Sequence, residues 1–179
     1  GRAGQVVRKL IWTRGTQLLV DIVDSCPGAC PTCPVGIQPR RDGHRMDIDL
    51  FRRILDKVQI EANVYKIQLY RWSDPLIHPQ VHRFVAECNK RGIRASTSSF
   101  LQTTTCDWDK LVESGVDEFR VSYSGWKRMN LYQRPAKAER FIEKFEQVAS
   151  LPWPDTTKKV MFFHEYKDNY FEIEPARQL

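Results

Sequence analysis

Leu18-Leu19-Val20-Asp21-Ile22-Val23-Asp24-Ser25-Cys26-Pro27-Gly28-Ala29-Cys30-Pro31-Thr32-Cys33-Pro34 joins an apolar, β-branched run to three cysteines separated by gaps of three and two residues. The run from Leu18 to Val23 reads as a buried strand, so the cysteines fall on the loop leaving its carboxyl end. In α/β barrels that end is the catalytic face. Three thiolates at this spacing can converge on one iron–sulfur cluster and leave a fourth iron without a protein ligand, where chemistry can occur. A structural zinc site is the alternative, since zinc also takes closely spaced cysteines and His44 follows downstream. Such sites usually draw on two separated ligand pairs, and the sequence offers no second Cys-x2-Cys knuckle. An odd total of five cysteines, with no signal peptide opening the sequence, argues against a disulfide framework. Clustered thiols point to a reducing compartment, and a cytoplasmic location is expected. Cys88 lies in the apolar row Val81, Phe84, Val85, Cys88 and reads as a core residue, whereas Cys106, in a polar turn, has no assignment.

Outward from this loop the chain alternates strands and helices. Asp47 reads as the N-cap of a helix with Leu50, Phe51, Ile54, Leu55 and Val58 on one stripe. A second strand spans Val64 to Tyr70 and ends at a loop carrying Asp74-Pro75. Pro79 opens a helix that Gly92 closes, and Ile93 to Thr97 forms a third strand. Asp107 caps a helix ending at Gly115, and Phe119 to Tyr123 forms a fourth strand. A helix around Phe141, Ile142, Phe145 and Val148 stops before Pro152, and Lys159 to His164 makes strand five. This order predicts parallel β/α units joined by right-handed crossovers.

The 179 residues, 41% hydrophobic and 28% charged, suit one globular domain over residues 1–179. No apolar run approaches the roughly 20 residues of a membrane span, so no membrane association is expected. The net charge of +6 is scattered over pairs such as Arg8-Lys9, Arg40-Arg41, Arg52-Arg53 and Lys90-Arg91, which reads as a solvated surface. A continuous basic groove for nucleic acid is not apparent. A partner bearing phosphate or carboxylate stays open.

The cysteine run resembles the radical SAM signature Cys-x3-Cys-x2-Cys, departing from it at Thr32, where that superfamily carries an aromatic residue. A second segment, Tyr70-Arg71-Trp72-Ser73-Asp74-Pro75-Leu76-Ile77-His78-Pro79, resembles the family's Tyr-Asn-Trp-Gly-Glu-Pro-Leu-x-x-Pro form. Asp74 stands where the family has glutamate, and Ser73 where it has glycine. The strand-three segment Ser96-Thr97-Ser98-Ser99 and the strand-four segment Ser122-Tyr123-Ser124-Gly125 are similar to two further family segments. Together the resemblance covers Gly15 to Leu179 and lies nearest the SPASM-associated branch.

The resemblance implies a [4Fe-4S] cluster on Cys26, Cys30 and Cys33, with S-adenosylmethionine held by Ser73, Asp74, Thr97, Ser98 and Ser122. It implies reductive cleavage of that cofactor to a 5′-deoxyadenosyl radical that abstracts hydrogen from a peptide, small molecule or sugar, with flavodoxin or ferredoxin as the one-electron reductant. The implied fold is an open partial (β/α) barrel of five to six parallel units. Five units are legible in the sequence, so the last unit of the usual six is expected to be lacking. His164, Glu165, Tyr166 and Asn169 are candidates to face substrate or to sit at the rim. Two rivals remain: an RNA-modifying enzyme of the same chemistry, and a non-catalytic zinc-stabilised binding module.

Overall fold

A computed structural model describes residues 15–38 and 43–179; Arg8-Lys9 and Arg40-Arg41 lie outside the described residues. Five strands form one parallel sheet in sequential order, β1 (Thr16–Leu19), β2 (Val64–Gln68), β3 (Arg94–Ser99), β4 (Glu118–Tyr123) and β5 (Lys158–Phe163). β1 and β5 are the two edges, so the sheet is an open, partial barrel. The helices of the crossovers are α1 (Ile48–Glu61), α2 (Val81–Asn89), α3 (Trp108–Glu113), α4 (Met129–Tyr132) and α5 (Ala138–Ala149), with α6 (Ile173–Ala176) following β5.

The helix starts follow their capping residues. Asp47 Oδ1 accepts from the N–H groups of Asp49 (2.8 Å) and Leu50 (3.4 Å), and Asp107 Oδ1 accepts from Lys110 N–H at 3.1 Å, satisfying donors that have no partner inside the helix. Gly92 and Gly115 turn the chain out of α2 and α3 at φ +68° and +72°, a region that glycine enters without strain. Pro79 lies just ahead of α2 rather than at its first position, because a 3-10 turn over Pro75–Ile77 intervenes. The short α4 was not expected from the sequence.

β1 stops at Leu19, short of the strand expected to reach Val23. Beyond it the chain is braced by other partners. Val20 N–H donates to Gln68 O at 2.8 Å, Met46 N–H to Ile22 O at 2.8 Å, and Asp24 N–H to His44 O at 3.1 Å. Ile22 and Val23 remain buried without strand geometry.

The two faces of the sheet differ in chemistry. Alternation along each strand sends Ile67, Leu69, Ala95, Phe119, Val121 and Tyr123 into the layer shared with Phe51, Leu55, Phe84, Cys88, Leu111 and Phe141. Phe51 meets Phe84 at 5.0 Å between ring centroids, and Tyr123 stacks on Phe141 at 4.6 Å. Cys88 is fully buried in this layer, and desolvation pushes its thiol up to about 12. The intervening residues Lys66, Gln68, Ser96, Ser98, Glu118, Arg120 and Ser122 occupy the opposite, concave face. Lys66 Nζ and Glu118 Oε2 pair there at 3.1 Å with both side chains less than a tenth exposed, and Arg120 also donates to Glu118. Burial alone would raise the Glu118 carboxyl, but bonds from Lys66 and Arg120 outweigh it and hold the group below its ordinary value.

Candidate functional site

A cavity of about 480 Å³ opens where the loops leaving the carboxyl ends of the strands converge. Its wall includes Cys26, Cys30 and Cys33 from the loop after β1, the segment from Tyr70 to Asp74 after β2, and Ser98 and Ser99 at the end of β3. Arg120 and Ser122 of β4, and Phe162 of β5 with His164 beyond it, complete the floor and far side. This is the end of the sheet where α/β folds place their ligands.

The cysteine loop is wound tightly. Cys33 N–H donates to Cys30 O at 3.1 Å and Ile37 N–H to Cys33 O at 3.2 Å, while Ala29 N–H donates to the Arg134 carbonyl. Gly36 packs so closely on this turn that a Cβ there would come within 2.5 Å of the Cys30 backbone nitrogen. The Cys26 sulfur accepts from Gly28 N–H at 3.4 Å. Burial, the charge of Asp74 and repulsion from the other two cysteines push the Cys26 thiol up to about 12, and burial with Cys33 raises Cys30. Thiols so placed give up their protons to a cationic partner and bind it as thiolates.

Among the described residues no three His, Cys, Asp or Glu side chains close around a single metal ion. The three thiols instead share one cavity wall. A soft sulfur donor set of this kind is the one that iron–sulfur clusters take.

The segment after β2 is held from both ends. Asp74 is 3% exposed. Its Oδ1 accepts from Leu76 N–H at 3.0 Å and its Oδ2 from Ser99 Oγ at 2.7 Å. Burial raises its carboxyl to about 6, against the lowering effect of the bonds from Ser99, Leu76 and Phe100. The carboxylate expected to face a ligand's ammonium is therefore already engaged by the protein. Ser73 Oγ donates to Asp21 Oδ1 at 2.6 Å, so this side chain too is turned to the protein.

Of the other sequence candidates, Ser98 and Ser122 face the cavity and approach each other at 3.3 Å. Thr97 does not join them. It is fully buried, pairs in register with Phe119, and by strand alternation points to the helix-packed face. Ser99 lines the cavity one position further on. His164 and Tyr166 line the cavity, and burial lowers the His164 imidazole below its ordinary value. Asn169 is instead a staple, donating to the Ser124 and His164 carbonyls at 2.8 Å each and accepting from Tyr166 N–H at 2.6 Å.

Two residues on the cavity were not singled out from the sequence: Arg120 and Phe162. Arg120 and Phe162 carried a signal, because Arg120 alternates with Ser122 along β4 and Phe162 pairs with Ser122 across β4 and β5. At the rim Tyr132 and Tyr166 stack at 3.8 Å, nearly coplanar, and the Tyr166 hydroxyl lies 3.3 Å from Thr32 Oγ1. Aromatic surface thus reaches the cysteine loop from the far side of the sheet although position 32 is threonine.

No family model matches the chain, and neither does the sequence of any curated protein. Solved structures do match. BtrN, in complex with AdoMet and 2-DOIA, has a TM-score of 0.62 at 20% identity over 84% of this chain and 57% of its own. SuiB of Streptococcus suis reaches 0.67 at 13% identity over 98% of this chain. HydG, a maturase of the [FeFe]-hydrogenase, reaches 0.63 at 11% identity over 94%. The fold is that of the partial barrel in radical SAM enzymes. The chain spans 57% of BtrN, 39% of SuiB and 40% of HydG.

Proposed function

We propose that the chain is a radical SAM enzyme core. Cys26, Cys30 and Cys33 hold a [4Fe-4S] cluster, and S-adenosylmethionine lies between the cysteine loop, the Arg71–Ser73 segment and the hydroxyls of Ser98 and Ser122. When bound, the cluster and cofactor supply a reductively generated 5′-deoxyadenosyl radical for hydrogen abstraction. Within that superfamily, the residues from Tyr70 to Pro79 favour the SPASM-associated branch.

The observation that carries the reading is the shared wall of one cavity: three thiols on one side, and the Arg71–Ser73 loop on the other. Among the described residues no donor bonds the carbonyls of Arg71, Trp72 or Ser73, so they are available to an ammonium group. Ser98 and Ser122 offer hydroxyls that can donate to a carboxylate or ribose without adding charge. Arg120 sits deeper on the concave face, where a substrate would meet it. The solved relatives include one bound to a small molecule, BtrN with 2-DOIA, and one bound to a peptide, SuiB with precursor SuiA; both substrate classes fit a polar floor. An exogenous one-electron carrier such as flavodoxin or ferredoxin is the expected reductant.

Anaerobic reconstitution tests the reading. About four irons per chain are expected, with a reduced-cluster EPR signal that S-adenosylmethionine perturbs, and Cys26→Ala, Cys30→Ala and Cys33→Ala should each lose it. Stoichiometric zinc without iron under the same conditions would overturn the assignment.

A further inference from the structure

One carboxylate organises the loop that faces the thiols, and it comes from the β1 side of the sheet. Asp21 Oδ1 accepts from Arg71 N–H at 2.7 Å, Trp72 N–H at 3.1 Å, Ser73 N–H at 3.1 Å and Ser73 Oγ at 2.6 Å, and Oδ2 accepts from Trp72 N–H at 3.2 Å. Three consecutive backbone donors converging on one anion form a concave nest. Donors gathered on one side leave the carbonyls of the same peptides, those of Tyr70, Arg71 and Trp72, directed away from it. Among the described residues no protein donor reaches these three carbonyls. The loop is a thin partition: Trp72 and Ser73 line the thiol cavity on one side and, on the other, a second cavity of about 390 Å³ that Asp21 also lines.

We infer that Asp21 is a positioning residue for cofactor binding: by holding the N–H groups of Arg71, Trp72 and Ser73, it orients the three peptides that carry the Tyr70, Arg71 and Trp72 carbonyls and presents those carbonyls to a cationic ligand group beside the cysteines. The inference rests on the proposed radical SAM reading, which supplies the ammonium of S-adenosylmethionine as that group. Asp74 fixes the far end of the loop through Ser99 and Leu76, and Asp21 orients the part that meets the ligand. The anion polarises the three peptides it binds, which strengthens their carbonyls as acceptors. A glycine-free loop gains by this device a fixed geometry that the sequence does not otherwise impose.

The test uses Asp21→Asn, which keeps the size but sets an amide donor against a backbone donor, and Asp21→Ala. Amide hydrogen exchange is followed across Tyr70 to Asp74, alongside iron content, melting temperature and S-adenosylmethionine affinity of the reconstituted protein. Wild-type amides of Arg71, Trp72 and Ser73 should be protected, and both variants should lose that protection. Iron content should stay at the wild-type value, since no thiol is touched, while affinity falls about 10- to 100-fold, the usual effect of removing an outer partner from a ligand site. Ser73→Ala, which removes one of the five contacts, should weaken affinity less than either. Failure of the wild-type protein to take up iron or to bind S-adenosylmethionine overturns the proposed function and the inference with it. Affinity that survives Asp21→Asn undiminished while protection is lost overturns the inference alone, as does an absence of protection in the wild type.

Discussion

Replacing Asp74 by asparagine should flatten the acid side of the stability profile. The Asp74 carboxyl is 3% exposed, and burial lifts it from 3.8 to about 6. In the unfolded chain it returns to its ordinary value, so between about pH 4 and pH 6 the native state holds a proton that the unfolded state has released. Stability contributed by this group is then greatest below pH 4 and falls as pH rises through the folded value. A difference of about two units at 1.36 kcal/mol each gives a loss of about 3 kcal/mol by pH 7. Asparagine resembles the protonated acid, with one oxygen for Leu76 N–H and a neutral group toward Ser99. The difference in unfolding free energy between wild type and Asp74→Asn should therefore change by about 3 kcal/mol between pH 4 and pH 7, in favour of the variant at the higher pH. Urea unfolding of the reduced apoprotein across this range measures it, with equal slopes confirming a shared unfolded state. Parallel profiles for the two proteins would refute the argument, because they would mean that Asp74 titrates as it does in water.

Glu118→Gln should cost about 3–5 kcal/mol in denaturant stability, because Lys66, with only 8% of its side chain exposed, is left without its counter-ion; the double variant with Lys66→Met should recover much of the loss. Gly36→Ala drives a methyl into the Cys30 backbone and should cost about 1–3 kcal/mol and lower iron uptake on reconstitution, a result that wild-type uptake would contradict. Cys88→Ala removes one sulfur from the helix-packed layer, so a loss of about 1 kcal/mol is expected with iron content unchanged; loss of iron would make Cys88 a ligand.

Much of the fold was legible because helix caps and periodic apolar stripes are local signals. Asp47, Asp107, Gly92 and Gly115 each mark their boundary by hydrogen-bonding or conformational chemistry within a few residues. That the three cysteines share one cavity wall was legible for the same reason, since they stand on one short loop. Asp21 was not, since it stands inside an apolar run and its five contacts lie some fifty residues away. For Asp74, residue type declares a charge but not its burial or its bonds to Ser99 and Leu76. Thr97 shows the limit of motif matching, where one step along a strand reverses the face a side chain meets. The Lys66–Glu118–Arg120 cluster carried no local signal, because only the register of the sheet brings Lys66 across β3 to join the other two.

The polar concave face has a consequence for how this protein can change. Cohesion resides in the apolar layer between sheet and helices, so Gln68, Ser98, Ser122 and Phe162 carry little of the burden of keeping the chain folded. A library varied at these four positions should yield mostly folded proteins, whereas the same diversity at Ile67, Ala95, Phe119 and Val121 should yield few. Ligand preference and folding are thus inscribed on opposite sides of the same strands, and selection can revise one without erasing the other.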